Sequence, residues 1–228
     1  MMRAEAMRLT LFDLDNTLLS GDSDYGWGQF AIRHRLVDAA TYEVKNAGFY
    51  AAYQQGNLDQ MAYLEFCLEP LTHRSRDELD DWHRRFMTET IEPMMSAAGK
   101  SLVRQRLDAG DVVAVVTSTN SFITGPIARA YSIPSLIATE AELDGDRYTG
   151  RIVGVPAFRG GKVERVHGWL AARGEQLADY AEIWFYSDST NDLPLLEAVT
   201  HPVVVDPDDG LRAIALSRGW PLVSLRDG

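Results

Sequence analysis

Apolar residues follow two different rhythms along this chain, and the change between them divides it. Near the start, Leu9-Thr10-Leu11-Phe12 is a short apolar run that stops at Asp13-Leu14-Asp15-Asn16-Thr17-Leu18. Such a run predicts a buried strand. From about Gly21 to Ile91 the spacing turns helical, with Trp27, Phe30 and Ala31, then Tyr42, Phe49, Tyr50 and Tyr53, then Met61, Leu64, Phe66 and Leu68, then Leu79, Trp82 and Phe86. Gly56-Asn57 and the stretch from Pro70 to Ser75 predict breaks. Beyond Pro93 the elements alternate: helices over Lys100 to Leu107 and Ile123 to Tyr131, strands over Val112 to Val116, Leu136 to Ala138 and Ile183 to Tyr186. That alternation predicts an α/β fold with a doubly wound, Rossmann-like parallel sheet. Its core would comprise residues 1–19 and 92–228, with a small helical domain, residues 20–91, inserted after the first strand. Asp144-Gly145-Asp146 predicts a tight hairpin within residues 144–151.

The apolar runs end in residues suited to chemistry, at the strand ends where open α/β sheets bind ligands. Asp13 and Asp15 are two apart, so an extended backbone turns both carboxylates one way while Leu14 packs on the other side. The second run leads to Thr117-Ser118-Thr119-Asn120, and the later one to Ser187-Asp188-Ser189-Thr190-Asn191-Asp192, with Lys162 between them after Gly160-Gly161. Each has a plain reading: an Asp-rich turn, a Thr117 helix cap, a solvated lysine, an Asn191 or Asp192 cap for Leu193-Pro194. Together they suit a phosphate monoester, which needs a nucleophile, neutralised charge and a protonated leaving oxygen. Asp13 reads as the nucleophile, and Asp15 as the acid that protonates the leaving alkoxide and then activates water. Asp13, Asp188 and the Asp15 carbonyl would hold Mg²⁺. The Thr117 hydroxyl, the Ser118 N–H and the Lys162 ammonium would contact the phosphoryl oxygens, with Asn191 and Asp192 behind them, Asp192 orienting Lys162 or a metal-bound water.

This order of a carboxylate pair, a hydroxyl, a lysine and an acidic cluster resembles the four motifs of the haloacid dehalogenase-like superfamily. The spacings are similar to its phosphoserine-phosphatase-like branch, subfamily IB, over nearly the whole chain. The resemblance implies the same residue roles, an aspartyl-phosphate, Mg²⁺, and a helical cap over Asp13; because substrate must enter and water must later reach the phosphoenzyme, the cap is expected to move about hinges near Leu19 to Gly21 and Ile91 to Pro93. Two departures stand out: Ser187 where the acidic motif usually has Gly, and Thr117-Ser118 where phosphoserine phosphatases have Ser-Gly. Neither removes a ligand. The resemblance also aligns Asp22 with the carboxylate that binds the substrate ammonium of phosphoserine phosphatases. The cap arginine that grips the substrate carboxylate has no counterpart in Tyr63-Leu64-Glu65-Phe66-Cys67-Leu68. A small phosphorylated metabolite with an amine and no carboxylate is therefore expected, histidinol phosphate first, phosphoserine second and phosphocholine-like esters third. Asp22 and Asp24 would pair with its cation, Trp27 would stack on it, and Arg159 would reach the cleft. The competing readings are helix caps for both aspartates and a core position for Trp27. A phosphotransferase or mutase would use the same nucleophile.

Composition narrows the partners. A formal charge of −11 opposes nucleic acid and anionic membranes as partners. The lone cysteine, Cys67, allows no internal disulfide, and His34, His73, His83, His167 and His201 show no ligand spacing. The opening Met1 to Met7 lacks the apolar centre of a signal peptide, and no apolar run reaches membrane-spanning length. A cytoplasmic monomer or homodimer is the expectation.

Overall fold

The computed structural model describes residues 7–55 and 57–226. The reading of Met1 to Ala6, the Gly56 break and the Tyr53 side chain lie outside the described residues. Strands β1 (Arg8–Phe12), β2 (Val112–Asn120), β3 (Ser135–Asp144), β4 (Arg147–Val153), β5 (Glu182–Ser187), β6 (His201–Val205) and β7 (Leu222–Val223) form one sheet in the order β4-β3-β2-β1-β5-β6-β7. All pairs are parallel except β3 with β4. The predicted doubly wound α/β core is thus present, and β1 lies at its centre.

Alternation along the strands builds a core on each face. Phe12, Val113, Val115 and Tyr186 point to one side, while Leu9, Leu11, Ala114, Val116 and Phe185 point to the other. The first face packs on α5 (Ala97–Asp108) and α6 (Ser121–Ala130) through Val103, Ile123 and Ile127. The second packs on α7 (Gly160–Ala172), α8 (Leu193–Ala198) and α9 (Asp209–Arg218) through Val166, Leu170, Leu195, Leu196, Leu211 and Ala215. Both faces being covered explains why these strands read as unbroken apolar runs.

Between β1 and β2 the chain passes through α1 (Ser23–Arg33), α2 (Ala39–Gln54), α3 (Gln60–Leu68) and α4 (Arg76–Phe86). Ser75 and Glu78 form a capping box that starts α4 after the expected break. The outgoing and returning segments are tied together: Ser20 N donates to Met94 O at 2.8 Å, and Leu19 bridges Met95. The Trp27 ring of α1 meets Phe86 at 5.1 Å and Phe122 of α6 at 5.2 Å, and His83 Nε2 lies 3.0 Å from Ile123 O. No described side chain of α2 is buried. The expected hairpin is formed by β3 and β4 with Gly145 at φ 62°, and its Tyr148 ring packs on Phe122 at 5.4 Å. The hairpin also meets the helical block, where the Arg76 guanidinium of α4 lies 5.2 Å from the Tyr148 ring, a contact the sequence did not suggest.

Candidate active site

Three neighbouring strands bring the predicted residues together. β1 ends at Phe12, β2 runs past Thr117, and β5 ends at Ser187 beside Asp188, so the sequence motifs meet where strand order reverses around β1. Asp13 continues the ladder by donating its N–H to Tyr186 O at 2.9 Å. The backbone then leaves the strand. Leu14–Leu18 makes one wide helical turn in which Asp15 stays extended, at ψ 131°, and Asn16 takes φ 57°. Leu14 is fully buried, as alternation implied.

Lys162 enters from the first turn of α7. Gly161 is required there, because a Cβ would lie 2.1 Å from the Pro156 carbonyl oxygen, whereas Gly160 faces no such contact. Lys162 Nζ donates to Asp13 Oδ1 and Asp192 Oδ2, each at 2.7 Å, and the residue is 3% exposed. Burial opposes its charge, but Asp13 and Asp192 outweigh that and hold the ammonium above its ordinary range. The solvated-lysine reading is thereby excluded. Ser187 Oγ donates to Asp192 Oδ2 at 2.7 Å, so the residue that replaces the usual Gly supports the partner of Lys162. Asp192 makes no side-chain cap for α8.

The other carboxylates have their own partners. Thr17 Oγ1 lies 3.1 Å from both Asp13 Oδ2 and Asp188 Oδ1, drawing two carboxylates to one point. Asp15 Oδ1 accepts from Ser23 N at 2.6 Å, at the start of α1, and its Oδ2 accepts from Thr119 Oγ1 at 2.7 Å. Burial pushes Asp13 up to about 6, with Lys162 opposing the rise. It pushes Asp15 up to about 8, helped by the charge of Asp22, and Asp188 to about 8, helped by Asp13. Thr117 is 1% exposed, and its Oγ1 accepts from Thr119 N at 3.2 Å. It does not cap the next helix; Asn120 does, accepting from Ile123 N. The Ser118 carbonyl accepts from Thr139 Oγ1 at 2.8 Å.

A cation fits this arrangement. Among the described residues no set of three His, Cys, Asp or Glu side chains is arranged to hold a metal. The donors at hand are instead two carboxylates, on Asp13 and Asp188, which burial makes costly to ionise without counter-charge. Few protein oxygens completed by water is the donor set that Mg²⁺ takes.

The substrate-side expectations fare less evenly. Asp22 is exposed and caps α1 by accepting from Tyr25 N at 2.9 Å. Asp24 caps nothing; it accepts from Tyr63 Oη and lies 3.6 Å from Cys67 Sγ, both on α3, with burial pushing its carboxyl up to about 6. Its pairing with a substrate cation gives way to a structural tie between α1 and α3. Trp27 is also corrected: at 3% exposure, with Phe30, His83, Phe86 and Phe122 around it, the ring packs in the core rather than stacking on a ligand. Arg159 is exposed at φ 51°, and its Nε donates to Asn191 Oδ1 at 3.2 Å, which joins the lysine loop to the acidic motif.

Thr17, Thr119 and Ser187 went unassigned in the sequence. Thr119 was within reach of the period-two rule, since it stands two residues beyond Thr117 in an extended run. Nothing local distinguished Thr17 from an ordinary turn residue, and Ser187 stood out only as a departure from the usual Gly, with no task attached.

The model of the haloacid dehalogenase-like hydrolase family matches residues 10–197. The chain is 46% identical to a histidinol-phosphatase of Neisseria meningitidis serogroup C, over 96% of this chain and 99% of that protein. It is 31% identical to the phosphoserine phosphatase SerB1 of Mycobacterium tuberculosis, over 94% of this chain and 70% of that one. The crystal structure of a protein of unknown function from Bordetella pertussis Tohama I superposes with a TM-score of 0.93 at 49% identity, covering 97% of this chain and all of that one. A substrate-bound phosphoserine phosphatase shares the fold at a TM-score of 0.64 and 17% identity, over 92% of this chain and 90% of that one. The chain therefore belongs to the haloacid dehalogenase-like hydrolases and is an enzyme of their phosphatase branch.

Proposed function

We propose that this protein is a Mg²⁺-dependent phosphomonoesterase that acts through an aspartyl-phosphate on Asp13 and prefers histidinol phosphate. The observation that carries the substrate is the likeness to a histidinol-phosphatase at 46% identity along essentially the whole of both chains.

In the proposed reaction an Asp13 carboxylate oxygen attacks phosphorus, and the bond from phosphorus to the leaving oxygen breaks. Asp15 gives its proton to that oxygen; burial in the free enzyme already favours the protonated form that an acid needs. Asp15 then takes a proton from water as the water attacks phosphorus, which releases inorganic phosphate and restores Asp13. Lys162 balances charge on the phosphoryl oxygens, held in place by Asp192, while Thr117 and the Ser118 N–H donate to the same oxygens. Asn191 steadies Arg159 beside them. Mg²⁺, held by Asp13, Asp188 and the Asp15 carbonyl, would neutralise the phosphate enough for an anion to approach it. The helical block acts as the cap in this reading, with Asp22 at its entrance.

Asp22 is the one acidic residue of the expected pair that stays at the surface, close enough to Asp15 for its charge to push that carboxyl up. It offers an anion to a cationic substrate head. The test compares kcat/KM for histidinol phosphate, phosphoserine and phosphocholine, in wild type and Asp22→Asn, with Mg²⁺ and with chelator. Histidinol phosphate is expected to lead, Asp22→Asn to narrow its lead by about tenfold, as for one charged hydrogen bond, and chelator to abolish turnover. A lead for phosphoserine overturns the substrate, and phosphate returned to substrate instead of released identifies a phosphotransferase.

Thr119→Val tests the positioning of Asp15. Removing the hydroxyl that holds Asp15 Oδ2 should lower kcat by about tenfold to a hundredfold with little change in KM, the effect of a misaligned proton donor. Unchanged kcat would show that the Ser23 amide alone suffices.

A further inference from the structure

The loop that carries Asp15 is held from the far end of the chain. Arg226 Nη1 donates to Leu19 O and Nη2 donates to Asn16 O, each at 2.7 Å, across 207 and 210 residues of sequence. The guanidinium is itself steadied by Asp206, whose Oδ2 lies 3.6 Å from its Nε and also accepts from Leu225 N at 3.0 Å. Leu225 is 7% exposed and anchors this strap just after β7. A second side chain completes the grip: Tyr131 Oη donates to Leu18 O at 2.7 Å. The carbonyls of Asn16, Leu18 and Leu19 thus all accept from side chains of the sheet domain.

Such a grip has a reason. Asn16 sits at φ 57°, a conformation uncommon outside glycine although asparagine enters it more readily than most residues, so contacts that hold the turn fix which way it runs. Asn16 is also the neighbour of Asp15, whose carboxyl and carbonyl both have assigned tasks. Arginine suits the work because its planar fork reaches two acceptors at once in fixed geometry, which lysine does not.

We infer that Arg226 is a positioning residue: it clamps the Asn16–Leu19 segment to the sheet, fixes the orientation of Asp15, and confines movement of the helical block to residues beyond Leu19. This rests on the phosphatase reading for its consequence in turnover, but the clamp itself is a structural claim. It also narrows the outgoing hinge expected at Leu19 to Gly21, since Leu19 is bonded to Arg226 and paired with Met95.

Arg226→Ala and Arg226→Lys provide the test, in the full chain with Mg²⁺. In Arg226→Ala, amide hydrogen exchange of the segment 14–20 should rise at least about tenfold, with β2 and β5 unchanged, because only the local tether is lost. Turnover should fall about tenfold to a hundredfold with KM within about threefold, the effect of a misplaced catalytic group. Millimolar methylguanidinium should restore part of kcat, and Arg226→Lys should remain well below wild type. Unchanged exchange in segment 14–20 overturns the clamp. Faster exchange with unchanged kcat, or a loss of kcat that follows only a fall in Tm and resists methylguanidinium, overturns the positioning role. A wild-type enzyme with no Mg²⁺-dependent phosphatase activity would instead defeat the functional reading, and the exchange measurement would still decide the clamp.

Discussion

Asp13→Asn is expected to lower turnover by at least about 10⁴-fold, the scale of losing a covalent nucleophile, and to leave no phosphoryl group trapped on residue 13. The amide nitrogen and oxygen lack the charge and basicity to attack phosphorus, and the side chain would be a weaker ligand for a divalent cation. The fold should survive. The amide oxygen can still accept from Lys162 Nζ, now 2.7 Å from Asp13 Oδ1, and the substitution removes a carboxylate that burial makes costly to ionise. Tm should therefore stay within a few degrees of wild type, so lost activity cannot be blamed on unfolding. The measurement is phosphate release from histidinol phosphate, paired with acid quenching and mass spectrometry of the Asp13 peptide. Activity within tenfold of wild type would remove Asp13 from its assigned role.

Lys162→Met should act on chemistry and stability together. One lost charge stabiliser of a transition state lowers kcat by about 10²–10³. The same change strands Asp13 and Asp192 without the ammonium that lies 2.7 Å from each, in a site where Lys162 is 3% exposed. Breaking a buried ion pair from one side costs about 3–5 kcal/mol, visible as a lower urea midpoint. The double variant Lys162→Met/Asp192→Asn separates the two effects, because it removes an uncompensated charge without restoring a cation. Its midpoint should recover much of the loss while kcat stays low. A Lys162→Met enzyme with near-normal kcat and a lowered midpoint would reduce the lysine to a structural ion pair.

Electrostatics at this site form one connected problem. The buried Lys162 pairs with Asp13 and Asp192, and burial pushes upward Asp13, Asp15 and Asp188, the residues assigned to nucleophile, proton donor and metal ligand. A polar group in the protein interior is costly unless paired. Thr17, Thr119, Ser187 and the Ser23 amide each supply a hydrogen bond to one of these carboxylates. The divalent cation proposed for this site would offset the remaining negative charge.

What the sequence determined by itself is whatever depends on neighbours along the chain. Unbroken apolar runs marked the strands, helical spacing marked the block between β1 and β2, Asp-Gly marked the hairpin, and the polar residues at strand ends marked the site, because parallel strands buried on both faces leave chemistry only at their ends. The tertiary structure alone decided the pairings. Lys162 reaches Asp13 across 149 residues, Thr119 reaches Asp15 across 104, and Arg226 reaches Leu19 across 207. It also turned Trp27 into the aromatic core and Asp24 toward Tyr63, while Asp22 took the α1 cap and stayed at the surface. Residues at the start of one helix look alike in sequence; which of them faces a ligand depends on strand register and on the helix packed opposite, and neither is written in local periodicity.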